Sequence, residues 1–248
     1  MSSDDSPEII DSALVHWMQV VVGTLFYILN THPDLVHSVH QLARFVHNPG
    51  PSHIKALDHV LRYLAGTGDL CLIVGNWTEA DLRFLSGFHC NADASNKNVE
   101  LDFRGITGIT VFAFGTLLLA RSFVQDQVSA SSCEAEYYAY SAAVKDIEYV
   151  RLLLRDLLLF PDDTPAPTML VDSEPAIAMS QGPTHRSRTK HIDFTLALCR
   201  DYVMRGRVRL EHCPTFAQIA DMFTKQLGPS IFLLYRARFM SSLPYLRT

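Results

Sequence analysis

Four acidic residues stand at positions where packing alone would not place an acid. Asp93 ends an alternating run in which Phe84, Phe88, Cys90 and Ala92 share one face and His89, Asn91 and Asp93 the other, the period of two that a strand imposes. Asp172 directly follows Thr168-Met169-Leu170-Val171, at the carboxyl end of a short apolar strand, where open α/β sheets place their sites. Taken singly, either aspartate reads equally well as a turn or capping residue. Glu136 is more telling. Steps of four and three along a helix lead from it to Tyr140, Ala143, Ile147, Val150 and Leu154, so it is predicted to face the sheet. Glu134 leads instead to Ser141, Lys145 and Glu148 and is predicted to face water. Asp221 follows Ala217 and Ala220 on a helix whose other side, Phe216, Ile219 and Phe223, is predicted core.

A lone buried carboxylate is costly unless something neutralises it. For Glu136 that partner is either a lysine or arginine or a cation. Four carboxylates on one spot would repel each other and stay protonated without a cation among them. Hard divalent ions with oxygen ligands suit such a site, magnesium above all and manganese as a substitute. Two such ions about 4 Å apart activate a water, orient a phosphodiester and stabilise the departing oxygen.

The elements that must position these acids come in two textures. Leu14 to Asn30, then Pro33 through Val36, Val39, Leu42, Ala43 and Val46, then Ile54, Leu57, Val60, Leu61 and Leu64 up to Gly66 predict three helices, with a break at Asn48-Pro49-Gly50-Pro51. After Gly66 strands appear. Leu70 to Val74 reads as a short buried strand, and Ile109–Phe114 and Leu117–Ala120 flank Gly115-Thr116 as a hairpin. A long helix from about Cys133 to Leu159 follows. Then come a strand at Thr168–Val171, a helix opened by Ser173 and Pro175 and closed by Gly182, a helix over Ile192–Met204, a strand at Val208–Cys213 and an amphipathic turn from Phe216 to Phe223. The order β-β-β-α-β-α-α-β-α predicts an α/β domain with an antiparallel start and parallel additions.

The chain has 248 residues, 48% apolar and 19% charged, which suits one large domain or a domain with a smaller helical unit. The acidic, polar N-terminus and the lack of any apolar run of membrane length predict an intracellular protein with no membrane partner. Five singly scattered cysteines predict reduced thiols rather than a disulfide framework. A zinc site from His89, Cys90, His212 and Cys213 is disfavoured, because adjacent strand residues point to opposite faces. The net charge of −5 runs against a nucleic-acid partner, although basic residues cluster at Arg186–His191 and at Arg200, Arg205, Arg207 and Arg209. On charge alone those clusters read as solvated faces.

Several blocks resemble one family. Ser131-Ser132 with Glu134-Ala135-Glu136-Tyr137 resembles the S-S-T-E-A-E-Y segment of copia-type retrotransposon ribonuclease H domains. Pro183 to Asp193 resembles their H-S-R-T-K-H-I-D block, and Ile219-Ala220-Asp221-Met222-Phe223-Thr224-Lys225 their closing L-A-D-I-F-T-K. Upstream, Gly23-Thr24-Leu25-Phe26-Tyr27, His32-Pro33-Asp34, Arg44–Pro49 and Leu61–Thr67 are similar to the end of the same polyprotein's reverse transcriptase. The resemblance covers most of the chain in the family's order. It implies a ribonuclease H-like mixed sheet with flanking helices, preceded by a small helical segment, and a four-carboxylate site for two magnesium ions.

Counting back from Arg104-Gly105-Ile106-Thr107-Gly108, the family's R-S-T-S-G, places Asp93 as the first acid, and Glu136, Asp172 and Asp221 match the other three. Arg186, Arg188 and Lys190 are expected along the phosphates of an RNA–DNA hybrid, and Asp193 as a helix-start or structural acid. The expected division is residues 1–69 as the reverse transcriptase thumb or connection, 70–228 as the ribonuclease H-like domain and 229–248 as a tail. The sequence departs from the family at Ala120-Arg121-Ser122-Phe123-Val124-Gln125, where relatives carry W-S-S-K-R-Q, and lacks the polymerase Y-x-D-D motif. Two functions follow as expectations: a metal-dependent endonuclease cutting the RNA strand of a hybrid, acting with the remaining reverse transcriptase domains, or a catalytically silent remnant that binds nucleic acid or a partner subunit.

Overall fold

Apolar periodicity sets most of the elements, and the residues at their ends set the limits. The computed structural model describes residues 11–75, 88–95, 103–159, 164–181 and 193–242. In chain order the elements are α1 (Ser12–Ile28), α2 (Val36–Ala43), α3 (Pro51–Gly66), β1 (Leu70–Leu72), β2 (His89–Ser95), β3 (Ile106–Ala113), β4 (Thr116–Val124), α4 (Ser132–Asp156), β5 (Thr168–Val171), α5 (Glu174–Gln181), α6 (Asp193–Met204), β6 (Arg209–His212), α7 (Asp221–Thr224), α8 (Pro229–Arg236) and β7 (Met240–Ser242). They form two compact units, one of Met1–Leu72 with Phe232–Thr248 and the other of Ile73–Ile231. Among the described residues no helix is long and apolar enough to cross a membrane. None of the five cysteines is in a disulfide.

In the first unit, the Asp11 side chain caps α1 by accepting the Ala13 N–H at 2.9 Å, and Pro51 opens α3 where its missing N–H costs nothing. The three helices bury Met18, Val22 and Leu25 against Val39, Leu42, Leu57 and Val60. Buried Asp34 accepts the hydroxyl of Tyr63, which in turn accepts from Arg236 Nη1 at 2.6 Å. The C-terminal residues thus close back rather than trail as a tail. Cys71 pairs with Ser241 in an antiparallel ladder between β1 and β7. The expectation of a buried strand over Leu70–Val74 also changes: β1 is only half-buried and Val74 is 78% exposed. Three residues of strand have no stability of their own, and the partner lies too far along the chain to leave a local signal.

The second unit is a five-stranded sheet in the order β4-β3-β2-β5-β6. β2, β3 and β4 are antiparallel, while β5 runs parallel to β2 and β6 parallel to β5. This is the mixed α/β sheet with flanking helices that the resemblance implies. The β3–β4 turn is Phe114-Gly115, both at positive φ (53° and 67°), one residue earlier than the sequence suggests. Two left-handed residues match the twist of a tight hairpin. The helix α4 lays Tyr140, Ala143, Ile147, Val150 and Leu154 on the core beside Phe88, Cys90, Ala92, Ile109 and Val111.

β2 is central and covered on its other face too, where Asn91 and Asp93 are buried. That covering depends on Gly108, the β3 residue paired with Asp93. A Cβ there would meet the Ala220 carbonyl oxygen at 2.6 Å and Thr224 Cγ2 at 2.7 Å. Gly108→Ala is therefore expected to destabilise the chain by about 1–3 kcal/mol. Thermal melting checks this, and an unchanged melting temperature would show that the α7 segment does not press on the sheet.

Candidate metal centre

The parallel ladder between β2 and β5 runs from His89↔Thr168 to Asn91↔Leu170 and stops. Extended by two residues, the same register sets Asp93 beside Asp172, each just past the point where the strands part. Glu136 arrives from α4, whose start is fixed twice. The Ser131 side chain accepts the Glu134 N–H at 3.1 Å as an N-cap. Buried Gln125 donates to the Ala135 carbonyl at 2.8 Å and to Thr107 Oγ1 at 3.0 Å, tying the first turn to β3. One oxygen from each of Asp93, Glu136 and Asp172 lies within 4.8 Å of the other two. Among the described residues no other group of histidine, cysteine or acidic side chains gathers in this way.

The electrostatics are those of crowded like charges in a dry place. Burial, then the charges of Asp93 and Asp172, push the Glu136 carboxyl up to about 9, against the opposing hydrogen bond from the Ala94 backbone. Glu136 Oε2 is buried with no hydrogen-bond partner. Burial and the neighbouring Asp221 raise Asp93 as well, opposed by Thr224 and Lys225. Asp172, half-buried, is raised by burial and by Asp93. Thr224 Oγ1 donates to Asp93 Oδ2 at 2.5 Å, and Lys225 Nζ pairs with Asp221 Oδ1 at 2.8 Å. Burial works against the Lys225 ammonium, but its hydrogen bond to Asp221 and the charges of Asp93, Asp221 and Asp172 outweigh it. A buried carboxylate oxygen without a donor, facing two more acids, fits a hard divalent cation better than any protein group among the described neighbours.

Asp93, Glu136 and Asp172 form the tight trio, and Asp221, the fourth expected acid, stands beside Asp93 and also acts on Glu136. Asp221 is buried, its charge helps to raise Asp93, and it forms an ion pair with Lys225. Glu134 does not face water as its helical position predicts. It is 3% exposed, because its carboxylate accepts the Ala130 N–H at 2.6 Å and the Tyr138 hydroxyl at 3.0 Å, closing the loop before α4. Phe216, expected in the core, is 77% exposed, since the segment from Thr215 is a short 3-10 turn rather than a continuous helix. Arg186, Arg188 and Lys190 lie outside the described residues. Of the second basic cluster, Arg205 pairs with Asp201 at 2.8 Å and Arg207 lies over Tyr202, 4.0 Å from Glu148.

Sequence reasoning assigned no role to Thr224, Lys225 or Tyr140. The first two sit in the quoted closing block, and their contacts with the acids are the missing signal. The Tyr140 hydroxyl is buried without a partner, and burial and the charges of Glu136, Asp172 and Asp93 push it up.

The upward push on Glu136 links its proton to folding. The folded protein holds this proton more tightly than the unfolded chain, so the stability it contributes is present below about pH 4.5 and lost as pH rises toward 9. Asp93 and Asp172 act in the same direction. Metal-free wild type should melt progressively lower between pH 5 and 9, and Glu136→Gln should flatten that fall. Parallel melting curves for the two would show that Glu136 ionises freely.

No family model matches the chain. It is 30% identical over 212 residues to the retrovirus-related Pol polyprotein from transposon RE1 of Arabidopsis thaliana, covering 86% of this chain and 14% of that protein. It is 31% identical over 221 residues to the corresponding polyprotein from transposon TNT 1-94 of Nicotiana tabacum, covering 86% and 15%. The chain therefore spans about a seventh of the length of these curated relatives. Among solved structures it is similar to LC11-RNase H1, isolated from compost, with 17% identity and a TM-score of 0.44 over 56% of this chain and 94% of that one. With its motifs in the family's order and this identity along most of its length, the chain belongs to the copia-type retrovirus-related Pol polyproteins.

Proposed function

We propose that the unit Ile73–Ile231 is a divalent-metal-dependent ribonuclease H that cuts the RNA strand of RNA–DNA hybrids within a retrotransposon polyprotein. The preceding helices, within residues 1–69, are proposed to be the end of a reverse transcriptase. The observation that carries this reading is the gathering of Asp93, Glu136 and Asp172 with a donor-less buried oxygen on Glu136. Asp93, Glu136 and Asp172 would hold the metal, and Asp221 would complete a second site on exchanging Lys225 for an ion. Two magnesium ions, or manganese in their place, would supply a polarised water and a counter-charge for the departing oxygen.

The chain's own residues do the positioning. Thr224 fixes one oxygen of Asp93 and leaves the other available, and α4 delivers Glu136 from a wall of apolar side chains that exclude water. Asp172, the least buried of the three, stands on the side from which a phosphodiester would approach. Discrimination of a hybrid from DNA is proposed to rest on 2′-hydroxyl contacts across a minor groove, and Arg186, Arg188 and Lys190 on phosphates.

A second reading, a silent remnant that at most binds nucleic acid or another subunit, is favoured by one observation. Arg121, in the segment that departs from the family, donates to both Asp146 oxygens at 2.7 and 2.8 Å instead of standing open to a ligand. Cleavage of a labelled hybrid in magnesium separates the two. The 248-residue wild type should cut, and Asp93→Asn and Glu136→Gln should fall to background while melting no lower than wild type. Equal cutting by all three would refute the site. Without cleavage, hybrid binding that weakens steeply with salt would mark a binder, and no binding an inert relic.

A further inference from the structure

Gln218 is fully buried, and its side chain lies where the two acid-bearing strands separate. Its Nε2 donates to the Ala92 carbonyl on β2 at 3.1 Å and to the Leu170 carbonyl on β5 at 3.4 Å. Ala92 is the residue before Asp93, and Leu170 belongs to the last ladder pair, two residues before Asp172. One primary amide therefore spends both its hydrogens on the fork, where the direct β2–β5 ladder has ended. Its Oε1 accepts the Ala220 N–H at 3.4 Å, which ties the same side chain to the turn that leads into Asp221. A side chain with two donors on one nitrogen is what a pair of converging carbonyls requires.

We propose that Gln218 is a positioning residue: its amide wedges β2 against β5 and thereby sets the separation of the Asp93 and Asp172 carboxylates. The inference rests on the metal-centre reading above and deepens it. Magnesium demands near-octahedral oxygen ligands at about 2.0–2.1 Å, so a shift of a few tenths of an ångström between the strands is felt directly as lost affinity. Gln218 holds no ligand itself and acts only through the strands.

Gln218→Leu keeps comparable bulk and removes both donors. In calorimetric titration of the 248-residue chain with Mn2+, this variant should bind at least tenfold more weakly than wild type. Its circular dichroism and its metal-free affinity for a hybrid should stay within twofold of wild type, and in magnesium kcat should fall with KM unchanged. Wild-type Mn2+ affinity in a folded Gln218→Leu overturns the wedge and leaves the metal centre standing. No Mn2+ binding by the wild type overturns the metal centre and the wedge with it. Should Gln218→Leu fail to fold, hydrogen exchange of the Gln218 side-chain amide in the wild type decides. Protection that deepens on adding magnesium supports the wedge, whereas exchange at the rate of an exposed glutamine, or protection indifferent to magnesium, overturns it.

Discussion

Like charges brought together in a dry notch oppose the fold that brings them there, and the rest of the second unit is arranged so that they stay. Asp93, Glu136 and Asp172 come from segments that are distant in the chain, and burial first, then neighbouring acidic charge, pushes each carboxyl up. Packing outweighs that cost. Fully burying an aliphatic or aromatic side chain contributes about 1.5–3 kcal/mol, and α4 alone buries Tyr140, Ile147, Val150 and Leu154 against the sheet. A handful of such contacts exceeds what uncompensated carboxyls cost, particularly when the proton on Glu136 relieves part of the charge. A local conflict of this kind, held by agreement everywhere else, is where a functional site is expected.

The polar contacts around the notch share a pattern: each fixes one element by a side chain rather than by the ladder. Gln125 holds the first turn of α4, Thr224 holds Asp93, Lys225 holds Asp221 and Gln218 spans the open fork. Side-chain amides and hydroxyls suit this task because they satisfy backbone or carboxyl groups that would otherwise be stranded in a low-dielectric interior. Gly108 belongs to the same arrangement through absence of a side chain, since it lets the Ala220–Thr224 segment lie directly on β3.

The first unit follows a simpler logic. Its helices form one apolar cluster, and one buried polar group, Asp34 with Tyr63 and Arg236, joins the two ends of the chain's contribution to that unit. Burial raises the Asp34 carboxyl, partly offset by Tyr63, His32 and Arg236, so the group is costly alone and tolerable only in company. This explains why a carboxylate in the family's H-P-D block can sit in a helical core.

Much of the molecule was legible in the residues themselves. Periodicity of three and four laid out the helices, alternation marked β2, the hairpin signal at Gly115-Thr116 marked β3 and β4, and Thr168–Val171 read as a strand because four apolar or β-branched residues ended abruptly at an acid. The faces of α4 were half legible. The stripe from Glu136 to Leu154 followed from helix geometry, but the burial of Glu134 did not, because a loop that folds back is invisible to a helical wheel. Residue type and the family's motif order singled out the acids, yet only the tertiary structure decided that Asp93, Glu136 and Asp172 meet and that Asp221 pairs with Lys225 beside them. It also decided that β1 finds β7 and that Gln218 spans the strands. The physical reason is common to all of these. Side-chain spacing along a chain fixes which face a residue takes on its own element, whereas contacts between elements far apart in sequence depend on how those faces pack and on how the polar groups stranded between them find partners.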